Sequence, residues 1–86
     1  MKIMHYVYVL KSLKDNNLYV GRTENLESRL EKHSSGQVES TRERRPLELI
    51  YCEASVSIKD AVHREKYLKT AWGKRYLKHR LKNDYA

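Results

Sequence analysis

Residues 5–23, "HYVYVLKSLKDNNLYVGRT", contain the clearest structural pattern in the sequence. Two runs rich in β-branched and aromatic residues flank the polar segment "KSLKDNN", which is typical of two antiparallel strands joined by a hairpin turn. Three of the seven tyrosines fall here, in a chain that has no phenylalanine. Because phenylalanine supplies aromatic bulk without a hydroxyl to satisfy, the pattern indicates that the tyrosine hydroxyls themselves are used.

Two of these tyrosines, Tyr8 and Tyr19, are predicted to share one face of the hairpin. They lie eleven residues apart, and a loop with an even number of residues pairs positions an odd distance apart. Tyr6 points to the same face, whereas Val7 and Val9 point to the other. A cross-strand aromatic pair that only stabilises the hairpin explains this arrangement equally well, so the tyrosines alone do not establish a site.

The rest of the chain predicts an α/β (α+β) domain spanning 1–86, with a three-stranded antiparallel sheet flanked by helices. Its order is β-β-α-β-α-α. After the hairpin, the predicted elements are a helix from 23 or 25 to about 34, a strand over 47–56 and two further helices over 58–71 and 74–83. The strand is apolar on both faces, which predicts a well-buried position with Cys52 in the core. Ser57 is predicted to cap the second helix, and Gly73 to break the chain before the last.

Composition limits the possible functions. A chain of 86 residues builds one small core, and a single cysteine cannot form an internal disulfide. No apolar run is long enough for a membrane span or a signal peptide, so the chain is expected to be cytoplasmic, with no membrane partner and, by default, monomeric. The net charge is +7, and residues 63–86 hold 8 of the 18 basic residues but only two acidic ones. Nucleic acid, most simply DNA, is the predicted partner.

Three polar residues are predicted to border the core. Helical spacing places Arg29 and His33 beside the stripe formed by Leu26 and Leu30. Glu65 falls in the middle of a face whose predicted apolar positions are Ile58, Ala61, Val62, Leu68 and Trp72. A carboxylate there needs a cation, which leaves two alternatives: a salt bridge to an arginine such as Arg29, or a metal ion.

At these positions the sequence resembles the GIY-YIG nucleases. Tyr6-Val7-Tyr8 and Tyr19-Val20-Gly21 are similar to the two signature tripeptides, although Tyr6 stands where the family name has glycine. Arg29, His33 and Glu65 follow in the family's order, as its arginine, its His or Tyr, and its metal-binding glutamate. The resemblance covers nearly the whole chain and is closest to small standalone bacterial members.

The resemblance implies metal-dependent hydrolysis of DNA phosphodiester bonds, with roles for five residues. Glu65 would hold Mg²⁺ or Mn²⁺, and Arg29 would contact the scissile phosphate with its two-pronged guanidinium. Tyr8 would be the general base, its pKa lowered by nearby cations, with Tyr19 orienting the water. His33 is the alternative proton acceptor. All five are expected on one concave, solvent-open patch, with Arg22 at its edge as a nucleic-acid-binding residue.

Basic residues outside this patch are predicted to contact the nucleic-acid backbone. One group lies in the loop between the first helix and the third strand and the other in the last helix: Arg42, Arg44, Arg45, Lys74, Arg75 and Lys78. The alternative for the loop arginines is a role in solubility alone.

Two functions remain open on the sequence. The first is an endonuclease acting on nicked, flapped or damaged DNA in repair or recombination. The second is a noncatalytic nucleic-acid-binding module with the same fold. The intact set of two tyrosines, arginine, histidine and glutamate favours the first, because a binding module has no need of an inward glutamate. Larger relatives place an asparagine after the glutamate's helix, where this chain has Tyr76-Leu77-Lys78, and that difference, with the minimal size, favours the second.

Overall fold

A computed structural model describes residues 3–83 of the chain. Its elements follow in the order β1 (His5–Ser12), β2 (Leu18–Thr23), α1 (Leu26–Ser34), α2 (Glu39–Arg42), β3 (Leu47–Ser55), α3 (Ile58–Leu68) and α4 (Ala71–Arg80). The mixed α/β class and the order of the main elements are confirmed. The short helix α2 was not predicted and lies inside the segment predicted to be a loop between the first helix and the third strand.

The three strands form one antiparallel sheet in the order β2-β1-β3, with β1 in the centre. Tyr8 pairs with Gly21 and Leu10 pairs with Tyr19 in the β1–β2 ladder. Because Tyr8 and Leu10 are two residues apart, both tyrosines point to the same face, as predicted.

The two faces of the sheet are covered by different helices. Val7, Val9 and Val20 point to one face and form the main core with residues of α3 and α4, namely Ala61, Leu68 and Leu77. On the opposite face, Tyr8 meets His33 of α1. Helix α1 and helix α3 therefore lie on opposite sides of the sheet.

Each of the three longer helices begins at a capped residue. Side-chain oxygens of Asn25, Ser57 and Thr70 accept hydrogen bonds from backbone N–H groups in the first turns of α1, α3 and α4. These bonds satisfy donors that the helix itself leaves unpaired. The predicted cap at Ser57 is confirmed.

The third strand is less buried than its sequence predicted. As an edge strand it pairs only with β1, and none of its residues is fully buried. Cys52 is exposed, which corrects its predicted place in the core. Although β3 has apolar residues on both faces, the strand is not covered on both sides.

The boundary between the last two helices also differs from the prediction. Helix α3 ends at Leu68, and Gly73 lies within the first turn of α4 instead of before it. A Cβ on Gly73 would overlap the Tyr67 carbonyl oxygen and the Leu68 backbone, so the glycine permits the two helices to touch. Trp72 and Ile58, expected on the apolar face, are 66% and 49% exposed.

A polar cluster fastens α3 and α4 to β3. Arg64 Nε donates to Glu53 Oε1 at 2.6 Å, and the Tyr51 hydroxyl donates to Glu53 Oε2 at 2.6 Å. The Arg64 guanidinium also lies 4.4 Å from the ring centroid of Tyr76 in α4. Within residues 3–83, no helix combines the length and the apolar character needed to cross a membrane.

Candidate active site

The Tyr8 ring lies against β2 in a space that only glycine leaves open. Tyr8 is 0% exposed, and a Cβ at Gly21, its partner across the ladder, would overlap the Tyr8 hydroxyl. The glycine of Tyr19-Val20-Gly21 thus has a steric role in seating the first tyrosine. Tyr8 was expected in a solvent-open patch, and its complete burial corrects that expectation.

A chain of hydrogen bonds runs from Tyr8 into the protein. The Tyr8 hydroxyl lies 2.8 Å from His33 Nε2, and His33 Nδ1 lies 2.8 Å from the hydroxyl of Thr41 in α2. Arg29 Nε donates to the Tyr8 oxygen at 3.3 Å. Since that oxygen already accepts from Arg29, the arrangement favours donation of the Tyr8 proton to His33, which then donates from Nδ1 to Thr41.

The buried surroundings determine whether His33 and Tyr8, the titratable groups of this hydrogen-bonded series, are protonated. Burial, followed by the positive charge of Arg29, lowers the pKa of His33 to about 4, so the imidazole is neutral at neutral pH. Burial raises the pKa of Tyr8, and the Arg29 hydrogen bond opposes that rise without cancelling it. The lowered Tyr8 pKa expected from nearby cations is therefore corrected, and Tyr8 is a neutral phenol.

Tyr19 packs on this chain from the outer side. Its ring centroid lies 5.1 Å from that of His33 and 6.3 Å from that of Tyr8. Unlike those two residues, Tyr19 is only partly buried, and it lines a surface cavity of about 220 Å³ together with Lys69 and Lys74. Tyr19 is thus the tyrosine closest to solvent in the cluster.

Glu65 lies on the other side of the sheet, with two cations on its carboxylate. Arg22 Nε donates to Oε1 at 3.2 Å and Lys69 Nζ donates to Oε2 at 3.1 Å. The partner is therefore Arg22 and not Arg29. Because α3 and α1 pack on opposite faces, Glu65 does not join Tyr8 in one patch, contrary to the expectation.

The two halves of the site meet around the outer edge of β2. Arg22, whose side chain reaches Glu65, lines a surface cavity of about 370 Å³ together with Arg29 and Lys32. The second cavity, next to Tyr19, contains the Lys69 that also binds Glu65. Side chains from both faces of the sheet thus converge at its edge, and most of the charged ones are basic.

Glu65 alone supplies only one of the ligands that a hard divalent ion such as Mg²⁺ needs. In the part of the chain that the structure describes, no three His, Cys, Asp or Glu side chains lie close enough together to hold a metal ion. Mg²⁺, however, is commonly bound through one or two carboxylates, with water and substrate phosphate oxygens completing the shell. The Glu65 side chain is 20% exposed, and its partner Arg22 lines a basic cavity that suits a phosphate. Glu65 can offer its carboxylate in that mode only once Lys69, itself 56% exposed, moves away.

The other predicted nucleic-acid contacts divide into two groups. Arg44 reaches Asp15 in the turn between β1 and β2 at 3.9 Å, and Arg45 Nε donates to the Arg42 carbonyl at 2.9 Å, so both side chains make contacts within the protein. Arg42, at the end of α2, is exposed. The basic residues predicted to bind from α4 are exposed as well, namely Lys74, Arg75 and Lys78.

Two residues of this site were not predicted. Thr41 is 0% exposed and orients His33, but a threonine in a polar loop gives no signal in the sequence. Lys69 lies four residues after Glu65, the spacing at which glutamate and lysine meet on a helix, and that signal was available.

The chain is similar to known proteins over most of its length. A family model described as the GIY-YIG catalytic domain matches residues 4–81. A UPF0213 protein of Staphylococcus haemolyticus is 45% identical over 67 residues, covering 77% of this chain and 80% of that protein. One from Clostridium perfringens is also 45% identical over 67 residues, covering 77% and 71%. The solution NMR structure of a UPF0213 protein from Bacillus halodurans matches with a TM-score of 0.59 at 33% identity, covering 95% of this chain and 89% of that one.

Proposed function

Because the chain belongs to the GIY-YIG catalytic domain family, as its sequence predicted, we propose that it is a metal-dependent endonuclease that hydrolyses DNA phosphodiester bonds. Its substrates are structured or damaged DNA arising in repair or recombination in the cytoplasm. The observation that carries the proposal is the hydrogen-bonded chain of Thr41, His33, Tyr8 and Arg29 beside a basic cavity. A fold needing only packing would not bury so many polar groups.

Arg29 is the residue we assign to the scissile phosphate. Its Nε is held by Tyr8 while its guanidinium lines the cavity with Arg22 and Lys32. Hydrogen bonding to Tyr8 raises the pKa of Arg29, so the charge is permanent. The guanidinium can contact two phosphate oxygens at once and stabilise the charge that develops on them during hydrolysis.

Tyr8 and His33 together provide a path for the proton of the attacking water. A neutral phenol is a weak base, but Tyr8 can accept a proton from water while it passes its own to His33 Nε2. Tyr8 therefore has the same number of protons before and after the transfer. The proton that the water loses is balanced by the one that His33 gains as it becomes an imidazolium. Arg29 must turn toward the phosphate to uncover the Tyr8 oxygen, which also removes a positive charge from beside His33. Tyr19, nearer to solvent, orients the water.

Glu65 is the residue we assign to Mg²⁺ or Mn²⁺. When bound, such an ion supplies positive charge to the phosphate and its leaving oxygen. The chain's own part is to offer one carboxylate at the edge of β2, next to Arg22, which stays on Glu65 and keeps it in place.

The proposal is tested by metal-dependent cleavage of a panel of plasmid, branched, nicked and single-stranded DNA. We expect cleavage with Mg²⁺ or Mn²⁺ and none with EDTA. Glu65→Gln keeps the shape of the side chain but removes its charge, so cleavage should fall by orders of magnitude while DNA binding changes little. Tyr8→Phe should lower the rate about 100- to 10,000-fold, the usual contribution of a group that moves a proton.

Matched control variants separate these effects from general damage. Glu53→Gln alters another partly buried carboxylate that pairs with an arginine, and Tyr6→Phe alters a tyrosine on the same sheet face. Both should cut at close to the wild-type rate. If wild type cuts no substrate on the panel, the noncatalytic binding module is the better description.

A further inference from the structure

Trp72 is an unusual surface residue. It is the single tryptophan of the chain and, at 66% exposure, the most exposed large hydrophobic side chain among residues 3–83. The opposite side of the same helix is anchored, because Gly73 and Leu77 of α4 are both buried. The ring therefore stands on a rigid base and faces solvent.

A neighbouring arginine holds the ring from one side. The guanidinium of Arg75, one turn further along α4, lies 4.7 Å from the centroid of the Trp72 ring. This cation–π contact fixes the orientation of the indole without covering most of it. An aromatic ring held in this way can receive another flat ring on its open surface.

Basic side chains lie before and after Trp72 along the chain. Toward the candidate active site, Lys69 and Lys74 line the cavity that contains Tyr19. In the other direction along α4, a surface cavity of about 480 Å³ is lined by Arg75, Lys78, His79 and Lys82. The positive charge suits a phosphate backbone running past the ring, and it disfavours an apolar protein partner.

We propose that Trp72 is a stacking platform for an unpaired base of the bound DNA, so that the preferred substrate carries a single-stranded segment beside the bond that is cut. The inference rests on the proposed nuclease function and narrows its substrate class. In a duplex the bases are stacked on one another and cannot reach the indole, whereas a single strand offers base faces to aromatic side chains.

Tryptophan fluorescence tests this directly, because Trp72 is the one tryptophan and can be excited at wavelengths that the seven tyrosines do not absorb. Titration with oligodeoxythymidine in EDTA, where no cleavage is expected, should quench the emission to saturation. A blunt duplex should bind with little quenching. Trp72→Ala should weaken binding of a labelled thymidine strand about 5- to 150-fold, the range found for one base stacked on an aromatic side chain. Duplex affinity should stay unchanged.

Two variants serve as controls. Trp72→Tyr should retain most of the single-strand affinity, because a phenol ring can also stack. Val56→Ala shortens another exposed apolar side chain, 52% exposed, and should leave both affinities unchanged. Circular dichroism of each variant verifies the fold.

The results separate this proposal from the one on which it rests. Unchanged emission when the thymidine strand is bound, or an equal loss of duplex and single-strand affinity in Trp72→Ala, overturns the stacking platform while the cleavage assay stands. Absence of cleavage by wild type together with a clear quench overturns the nuclease and leaves the platform intact.

Discussion

The Tyr8 hydroxyl is satisfied by side chains that the sequence places 21 and 25 residues further along, Arg29 and His33. A buried hydroxyl without partners costs roughly 1–3 kcal/mol, so these contacts must form together with the hairpin for the fold to be stable. At the scale of single residues, the candidate site is therefore part of what holds α1 to the sheet.

The titration of His33 is the first consequence at this scale. Its pKa is lowered from 6.5 to about 4, so between these pH values the unfolded chain binds a proton that the folded chain does not. The free energy of unfolding should thus fall as pH drops from 6.5 to 4, by up to about 3 kcal/mol from this residue. NMR titration of the His33 ring signals should give a midpoint near 4.

A variant isolates this contribution. His33→Gln cannot titrate, so its stability in urea should lose less than wild type between pH 6.5 and 4. A His33 midpoint at or above 6.5 in wild type would contradict the neutral, buried imidazole.

Gly21→Ala is the second test at the residue scale. The added Cβ would overlap the Tyr8 hydroxyl oxygen, and the buried ring has no room to withdraw. We expect a loss of about 1–3 kcal/mol in the free energy of unfolding, measured by urea denaturation, since overpacked cores cost that much. Cleavage should fall further than stability explains, because the Tyr8–His33 contact is displaced. Stability within about 0.5 kcal/mol of wild type would show that the space is not tight.

The tyrosine, arginine and histidine of the site were predictable from residue spacing, whereas the depth of Tyr8 and the partner of Glu65 were not. The alternation of side chains along a strand predicts which face of the sheet Tyr8 occupies. It does not predict how fully α1 covers that face. Helical spacing put Glu65 on the inner side of α3, but only the packing of α3 against the sheet determines that Arg22 reaches it.

At the scale of elements, the strands and the caps of α1 and α3 were predictable because their signals are local, whereas the Thr70 cap of α4 was not predicted. Asn25 and Ser57 begin helices through bonds to residues three further along the chain. The errors arose where tertiary contact decides. Gly73 resembles a helix breaker in sequence, yet it lies inside α4 because α3 approaches too closely for any side chain. An edge strand such as β3 is identified only from its neighbours.

At the scale of the whole molecule, the distribution of charge predicts where DNA binds. Replacing Lys74, Arg75 and Lys78 of α4 with Glu should weaken binding to all DNA sequences. Each lost phosphate contact should reduce the slope of log K against log salt concentration by about 0.9. Measurement of binding over a range of salt concentrations tests this, with Lys59→Glu in the first turn of α3 as the control. Unchanged affinity and slope would indicate that DNA binds instead at Arg42 and its loop.

The polar cluster of Glu53, Arg64, Tyr51 and Tyr76 lies on the face of the sheet opposite Tyr8 and shares no residue with the Tyr8 chain. Energetic effects of distant sites with no shared partners are nearly additive. Mutations that shift α4 through this cluster should therefore leave the hydrogen bonds of Tyr8 and His33 beneath α1 unchanged. Glu65 lies on the same side of the sheet as the cluster, so such mutations reach the proposed metal site before they reach the buried tyrosine.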